Sequence, residues 1–328
     1  LANCFDFIAA LPKSKAVLTI PGSLANESDE FVTLCGDKLF ELASRFYCRA
    51  IKLSSSDLSL WYELSLNYYN RSLKYGTTET RKKYLELAAE TSKHIIKEAP
   101  HKWKYWNLLG VICTTKDVQN LSLAQHCFIK ALELDRKLAI VWTNLGVLYL
   151  SQGKIMLANT AFKQAQQSEP SFANAWTGQA QVAEILKPAE TIDLLQHSIT
   201  LSYNDESAIQ YAYWVCMLLS DTKNQKRAQY YVEHLNAISS AIDSITWYCN
   251  ANETNISSEA LSFLGYLNYN QRNWCIATRT FQAASQQIEQ SSNRDKMLCN
   301  LAYSLLKDNR PIEAVQAFEN VTEATFRS

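Results

Sequence analysis

Apolar residues recur at helical spacing along nearly the whole chain, and strand-like alternation is almost absent. The clearest segment begins at Trp142 and continues through Leu145 and Tyr149, with Phe162 following after a break at Gly153. Because Leu145 and Tyr149 are four residues apart, they lie on one face of a helix. Glycine and proline are scarce, with eight and six residues, so little interrupts the helices. The pattern predicts an all-α chain of antiparallel helix pairs.

The helix pairs recur at a fixed period. Trp176 stands 34 residues after Trp142, and this spacing is the period of the tetratricopeptide repeat, a helix–turn–helix unit. The residues typical of that repeat all occur here, at Trp142, Leu145, Gly146, Tyr149, Ala158, Phe162 and Pro170. We call the first helix of each pair helix A and the second helix B. Gly146 is expected to let the partner helix approach closely, and Phe162 to fill the gap between neighbouring repeats.

The join between successive repeats has a constant length. The step from the helix B alanine to the next helix A tryptophan is 18 residues in four places, Ala43–Trp61, Ala88–Trp106, Ala124–Trp142 and Ala158–Trp176. Insertions fall only inside repeats, between helix A and helix B. The stacking of one repeat on the next is thus held constant, as a continuous core requires. The predicted fold is a tetratricopeptide-repeat α-solenoid, a right-handed superhelix of antiparallel helix pairs.

The regular pattern does not cover the whole chain. Residues 1–30 combine prolines with a short extended run and are interpreted as a connecting segment. Tetratricopeptide repeats are predicted over residues 31–238, most clearly over 61–204. An irregular break, with at most one short helix, is predicted over 239–258. Two further repeats are predicted over 259–328.

Charge and cysteine usage restrict the class of partner and the compartment. The chain has 32 Lys and Arg against 32 Asp and Glu, so it lacks the basic excess typical of proteins that bind nucleic acid. A mild basic cluster from Arg81 to Lys104 is interleaved with glutamates and is interpreted as a solvated helix face. The nine cysteines form no CxxC pair, which indicates a reducing compartment. We expect no direct contact with nucleic acid and a location in the cytoplasm, with the nucleus as an alternative.

Sequence signatures of catalysis are absent. No Gly-rich phosphate loop and no HExxH occurs. His126 beside Cys127 could suggest a nucleophile pair, but adjacent helix residues point in different directions, so a surface His beside a packed Cys is expected. No apolar run reaches membrane-spanning length. The sequence therefore predicts a protein that is not an enzyme, with no cofactor, no metal, no small-molecule substrate and no membrane segment.

Binding is expected on helix A, which lines the concave surface of stacked repeats. The candidate positions are those that packing leaves free on helix A of the three best repeats. They are Lys104, Asn107, Val111, Asn144, Val147, Asn174, Gln181 and Glu184.

One known use of such a groove can be tested in the sequence. Some tetratricopeptide domains hold a C-terminal carboxylate with Lys, Asn, Asn, Lys and Arg. Here those places are taken by Asn107, Val111, Asn144, Asn174 and Gly178, and only the asparagine at 144 agrees. A cochaperone role is therefore disfavoured.

Four stretches outside the repeat consensus carry a family resemblance. They are AQHCFIK at 124–130, AIVWTNLGVLYL at 139–150, AWTGQA at 175–180 and YAYWVC at 211–216. On these the chain resembles the large tetratricopeptide-repeat scaffold subunits of the animal superkiller (Ski) complex.

The resemblance implies a much longer protein, of which this chain would be an internal part. It also implies a scaffold that holds a DExH-box RNA helicase and a WD-repeat subunit, and so supports 3′-to-5′ mRNA decay by the cytoplasmic exosome. No binding motif of the family can be placed on single residues here. The alternative is a generic tetratricopeptide adaptor that binds peptides in transport or chaperone assembly.

Overall fold

The computed structural model describes residues 1–11, 15–25, 30–221, 225–252, 256–287 and 291–321, with side chains throughout except at 291–293. Within this part of the chain the elements are α1 (Ala2–Ala10), β1 (Val17–Pro21), α2 (Gly22–Ala25), β2 (Phe31–Cys35), α3 (Asp37–Leu53), α4 (Leu58–Tyr75), α5 (Thr78–Glu98), α6 (Trp103–Thr114), α7 (Leu121–Leu134), α8 (Ala139–Ser151), α9 (Ile155–Ser168), α10 (Ala173–Leu186), α11 (Pro188–Leu201), α12 (Asp205–Ser220), α13 (Gln225–Leu235), α14 (Ala237–Ala251), α15 (Ser258–Asn270), α16 (Trp274–Gln287), α17 (Ser291–Lys307) and α18 (Pro311–Glu319).

The helices fall into two compact units, Leu1–Val182 and Ala183–Ser328. In the first unit α4 packs on α5, α6 on α7 and α8 on α9, so the predicted helix pairs are present. In the second unit α15 packs on α16 and α17 on α18. The predicted all-α tetratricopeptide-repeat class is confirmed.

Glycine and phenylalanine meet at the centre of each regular pair. A Cβ atom added to Gly146 would lie 2.6 Å from the Phe162 ring, and one added to Gly178, in the next repeat, would lie 2.2 Å from the same ring. Phe162 is fully buried. Both predicted roles are confirmed: Gly146 permits close approach, and Phe162 fills the space between two repeats. Gly110 and Phe128 meet in the same way.

Tryptophans at the start of helix A fasten the preceding loop. The indole N–H of Trp106 donates to the carbonyl of Pro100 at 2.7 Å, and that of Trp142 donates to Arg136 at 2.9 Å. Trp176 donates to Pro170 at 2.7 Å. Each acceptor precedes its tryptophan by six residues, so an insertion in this loop would break the bond. This contact gives a physical reason for the 18-residue step at Trp106, Trp142 and Trp176, whereas the indole N–H of Trp61 has no acceptor among the described residues.

The first 30 residues differ from the predicted connecting segment. They contain the helix α1 and the strand β1, which pairs antiparallel with β2 from Val17–Cys35 to Pro21–Phe31. The helix α1 packs on α3 as a helix A packs on its helix B. The buried side chains of Phe5 and Ala9 face this contact. The hairpin is thus a further insertion between helix A and helix B of one repeat.

Polar contacts fix α1 on the first unit. Tyr47 donates to a carboxylate oxygen of Asp6 at 2.9 Å, and the amide of Asn67 donates to the other oxygen at 2.6 Å. Lys74 donates to the carbonyl of Ala10, at the end of α1. Burial raises the pKa of Asp6 to about 6, against the opposing effect of these hydrogen bonds from Asn67 and Tyr47.

The predicted break at 239–258 also differs from the structure. The 15-residue helix α14 occupies most of it, beginning after Asn236, whose φ of 48° is left-handed. Its buried face carries mainly small residues and packs on α12. Residues 253–255 of the predicted break lie outside the described part of the chain. Among the described helices none is long and apolar enough to cross a membrane.

Candidate functional site

The predicted groove residues lie on three successive helices A. Lys104, Asn107 and Val111 are on α6, Asn144 and Val147 on α8, and Asn174, Gln181 and Glu184 on α10. All are exposed or half-buried, whereas their neighbours Leu109 and Leu145 are buried. Glu184 belongs to the second unit and the other seven residues to the first.

Two of these residues contact each other directly. The side-chain Nδ2 of Asn144 donates to Oδ1 of Asn107 at 2.9 Å, which links α8 to α6. Val111 lies one turn after Asn107 on α6 and is half-buried, while Val147 lies one turn after Asn144 on α8 and is 51% exposed. The structure therefore brings the two amides together on adjoining helices, with one valine a turn further along each helix.

The contact between α4 and α6 adds residues that the sequence prediction missed. The rings of Tyr62 and Tyr105 lie with centroids 5.6 Å apart. Burial raises the pKa of Glu63, and the positive charge of Lys104 acts in the opposite direction. The sequence carried a signal for them, because Tyr62 and Glu63 directly follow Trp61, which stands at the tryptophan place of its repeat. We use "the groove" for Tyr62, Glu63, Lys104, Tyr105, Asn107, Val111, Asn144 and Val147.

The structure gives a further reason against a site for a C-terminal carboxylate. Gly178 takes the last of its five places, and a Cβ there would meet the Phe162 ring. A side chain at this position would enter the core between repeats instead of reaching a ligand.

The thiols in the core are poor nucleophiles. Burial raises the pKa of Cys127 to about 12, with a smaller effect from Cys113, and burial raises the pKa of Cys216 to about 12. Because the thiolate is the reactive form, these thiols are inert at neutral pH. His126 is exposed beside the buried Cys127, as predicted, and its ring meets the edge of Trp106 at 6.0 Å. Among the described residues no three His, Cys, Asp or Glu side chains form a metal-binding group.

The repeated pairs and their Trp, Gly and Phe contacts define a tetratricopeptide-repeat protein. The chain is 31% identical over 335 aligned residues to Tetratricopeptide repeat protein 37 of Xenopus laevis, covering 99% of this chain and 21% of that protein. It is 35% identical over 288 residues to Superkiller complex protein 3 of Mus musculus, covering 86% of this chain and 18% of that protein. The predicted resemblance to the superkiller scaffold subunits is confirmed.

Two further similarities are more limited. A family model described as the CABIN1 N-terminal domain matches residues 101–190. The crystal structure of yeast Tom70 is 14% identical with a TM-score of 0.48, and the match covers 87% of this chain and 63% of that chain. The chain spans about a fifth of the length of the curated relatives named above.

Proposed function

We propose that this chain is a non-catalytic segment of a protein–protein interaction scaffold in a cytoplasmic superkiller complex. The partners would be a DExH-box RNA helicase and a WD-repeat subunit, and the assembly would support 3′-to-5′ mRNA decay by the exosome. The helicase would supply the chemistry, and this chain would hold partner proteins in place. No cofactor or small-molecule substrate is part of the proposal.

One observation carries the proposal. The helices α6 and α8 present the half-buried, hydrogen-bonded amides of Asn107 and Asn144, with the exposed side chain of Val147 one turn further along α8. Val147 is exposed although an apolar side chain gains by burial. The similarity to Superkiller complex protein 3 supports a scaffold of this kind.

Affinity purification of the tagged full-length protein from cells tests this proposal. We expect the helicase and the WD-repeat protein to co-purify with the wild type. Val147→Glu should reduce recovery of at least one of them, because it places a charge in the groove. Met156→Glu is the matched control, since Met156 is 67% exposed on α9, a helix B.

Two outcomes would count against the proposal in different ways. Recovery of neither protein with the wild type would contradict the scaffold function itself. Full recovery with Val147→Glu would leave the scaffold function standing but would exclude the groove as the contact.

A further inference from the structure

We propose that the outer edge of strand β2 binds an extended segment of a partner protein, which adds to the β1–β2 hairpin as a third, antiparallel strand. The hairpin is the insertion in the first helix pair and shares no residue with the groove. The inference adds a second contact surface to the proposed function and rests on that function only for the presence of a partner.

The pairing of the two strands leaves every second residue of β2 facing away from β1. The N–H of Gly22 donates to the carbonyl of Glu30 at 3.1 Å, which identifies this pair as a hydrogen-bonded one. Because hydrogen-bonded and non-hydrogen-bonded pairs alternate along an antiparallel ladder, Phe31, Thr33 and Cys35 direct their N–H and C=O groups away from β1. No other described residue forms a hydrogen bond to these outward groups.

The two edges of the hairpin differ in how well they are protected. On β1 one outward place is taken by Pro21, which has no N–H to donate, and α1 packs on this strand. Proline and charged side chains are devices by which proteins protect an exposed edge. Strand β2 has neither between Phe31 and Cys35, and its outward residues are exposed. It therefore offers a complete row of backbone donors and acceptors, which an added strand matches at every place.

The side chains beside this edge define the ligand further. Ile20 and Leu34 are buried toward the helices, whereas Phe31 is 63% and Val17 48% exposed on the opposite face of the hairpin. A ligand side chain beside the Phe31 ring would bury part of it, and cross-strand pairs of aromatic and β-branched residues are favourable. A two-stranded hairpin also gains stability from a third strand. The expected ligand carries β-branched or aromatic side chains at alternate positions.

Opposite charges flank the two ends of β2. Glu30 directly precedes the strand, and Lys38 follows it in the first turn of α3, where it adjoins Leu34 at a small cavity. Both are exposed, and neither forms a salt bridge with another described residue. Asp37 is already bound by Arg71 at 2.6 Å. An antiparallel ligand begins at the Lys38 end, so we expect an acidic residue near its N-terminal end and a basic residue near its C-terminal end.

The test uses random 12-residue peptides displayed on phage and selected on the purified full-length protein. Enriched sequences are made as synthetic peptides with acetylated and amidated ends, and their affinities are measured by fluorescence anisotropy. The variant Thr33→Pro removes the central outward N–H of β2 and leaves the bonds between β1 and β2 in place. At least one family of enriched peptides should bind this variant about tenfold more weakly, as expected for the loss of one or two hydrogen bonds.

Thr19→Pro is the matched control. Thr19 lies directly opposite Thr33 in the hairpin, its hydroxyl meets that of Thr33 at 3.1 Å, and its N–H faces the other edge. Both variants therefore lose the same side-chain contact and gain the same ring. Peptides that add to β2 should bind Thr19→Pro as tightly as they bind the wild type. Circular dichroism and urea midpoints of both variants show whether the fold persists.

Two further measurements test the strand geometry without any variant of the protein. Every second residue of a ligand strand directs its N–H toward β2. N-methylation at successive positions of the peptide should therefore weaken binding about tenfold at alternate positions and leave it unchanged between them. Amide hydrogen exchange of the protein with bound peptide should slow at Phe31, Thr33 and Cys35 and stay unchanged at Val17 and Thr19. These two patterns decide the matter if Thr33→Pro does not fold.

Several results would overturn the inference. They are enriched peptides that all bind folded Thr33→Pro as they bind the wild type, equal losses with Thr33→Pro and Thr19→Pro, an effect of N-methylation that does not alternate, and no enriched peptide at all. A second copy of the chain on this edge would appear in analytical ultracentrifugation as a dimer that Thr33→Pro abolishes, and would equally overturn it. None of these results would affect co-purification of the helicase, which tests the proposed function separately.

Discussion

Pairs of side chains at fixed places hold each repeat together. In α6–α7 and α8–α9 a helix A glycine lies against a helix B phenylalanine, at Gly110 with Phe128 and at Gly146 with Phe162. The pair α4–α5 has Ser65 at the glycine place, and its hydroxyl is hydrogen-bonded to that of Ser92 at 2.8 Å. Both solutions allow the helices to approach closely, one by filling space with a ring and the other by a polar bond.

Gly146→Ala tests the close approach. The added Cβ would lie 2.6 Å from the Phe162 ring, and such overpacking typically costs about 1–3 kcal/mol. This cost opposes a gain of about 1 kcal/mol from helix propensity. We expect a lower urea midpoint. In a Phe162→Leu background the same change should be less destabilising, and strictly additive effects of the two substitutions would contradict the contact.

Trp142→Phe tests the loop fastening. The substitution removes the N–H that reaches Arg136, and the loss of one such bond lowers the free energy of unfolding by about 1 kcal/mol. Trp61→Phe is the control, because the Trp61 indole N–H is buried without an acceptor among the described residues. We expect a larger fall in urea midpoint for Trp142→Phe. Equal effects would show that the bond contributes nothing beyond the size of the ring.

Elements could be predicted where the anchors of the repeat are present. The pairs α6–α7 and α8–α9 follow from Trp, Gly and Phe at their usual places, whereas α4–α5 follows from its Trp, Leu, Tyr and Ala alone. The helix α1 has Phe5, Ile8 and Ala9 at the spacing of Trp, Leu and Gly, but the hairpin insertion separates it from α3 and hides the relation. The helix α14 lacks these anchors, and its buried face shows only a helical spacing of small residues with Ile245 and Tyr248.

The candidate site could be predicted in part. Elimination of the core positions was enough to place Asn107 and Asn144 on the surface of helix A. Their contact could not be predicted, because Asn107 directly follows its tryptophan and Asn144 stands two residues after its own. The two asparagines therefore occupy different positions of the repeat, and aligning the two repeats by their tryptophans does not place them opposite each other. Only the packing of α8 against α6 brings them together.

The docking of α1 should depend on pH through Asp6. Because its pKa is raised to about 6 by burial, the folded state favours the protonated carboxyl. This contribution to stability is fully present below 3.8, the ordinary pKa of an aspartate, and is lost as the pH rises through about 6. After allowance for partial solvent exposure, we expect an effect on the order of 1 kcal/mol.

Asp6→Asn isolates this effect. The substitution should raise the urea midpoint at pH 7 relative to the wild type, and the difference should shrink or reverse at pH 4.5. The pKa of Glu63 is also raised by burial, so this carboxyl adds its own pH dependence to the stability of the fold. The variant Glu63→Gln is therefore measured in parallel. A difference between wild type and Asp6→Asn that does not change with pH would contradict the assignment.

At the scale of the whole chain, the neutral total conceals two oppositely charged units. Residues 1–182 contain 21 Lys and Arg against 16 Asp and Glu, while residues 183–328 contain 11 against 16. The first unit is thus net +5 and the second net −5. The net charge of the whole chain, which is zero, does not show this division. The expectation that the chain makes no direct contact with nucleic acid stays a prediction.

Cross-linking mass spectrometry of the native complex, purified on the full-length protein, shows whether partner proteins bind along the helix A surface. With an amine-reactive cross-linker, Lys104 in the groove reports contact with a partner, and Lys163 is an exposed control on the helix B α9. Partner binding along the helix A surface predicts links from Lys104 to another protein and few from Lys163. Partner links at Lys163, with Lys104 linked only to its own chain, would contradict it.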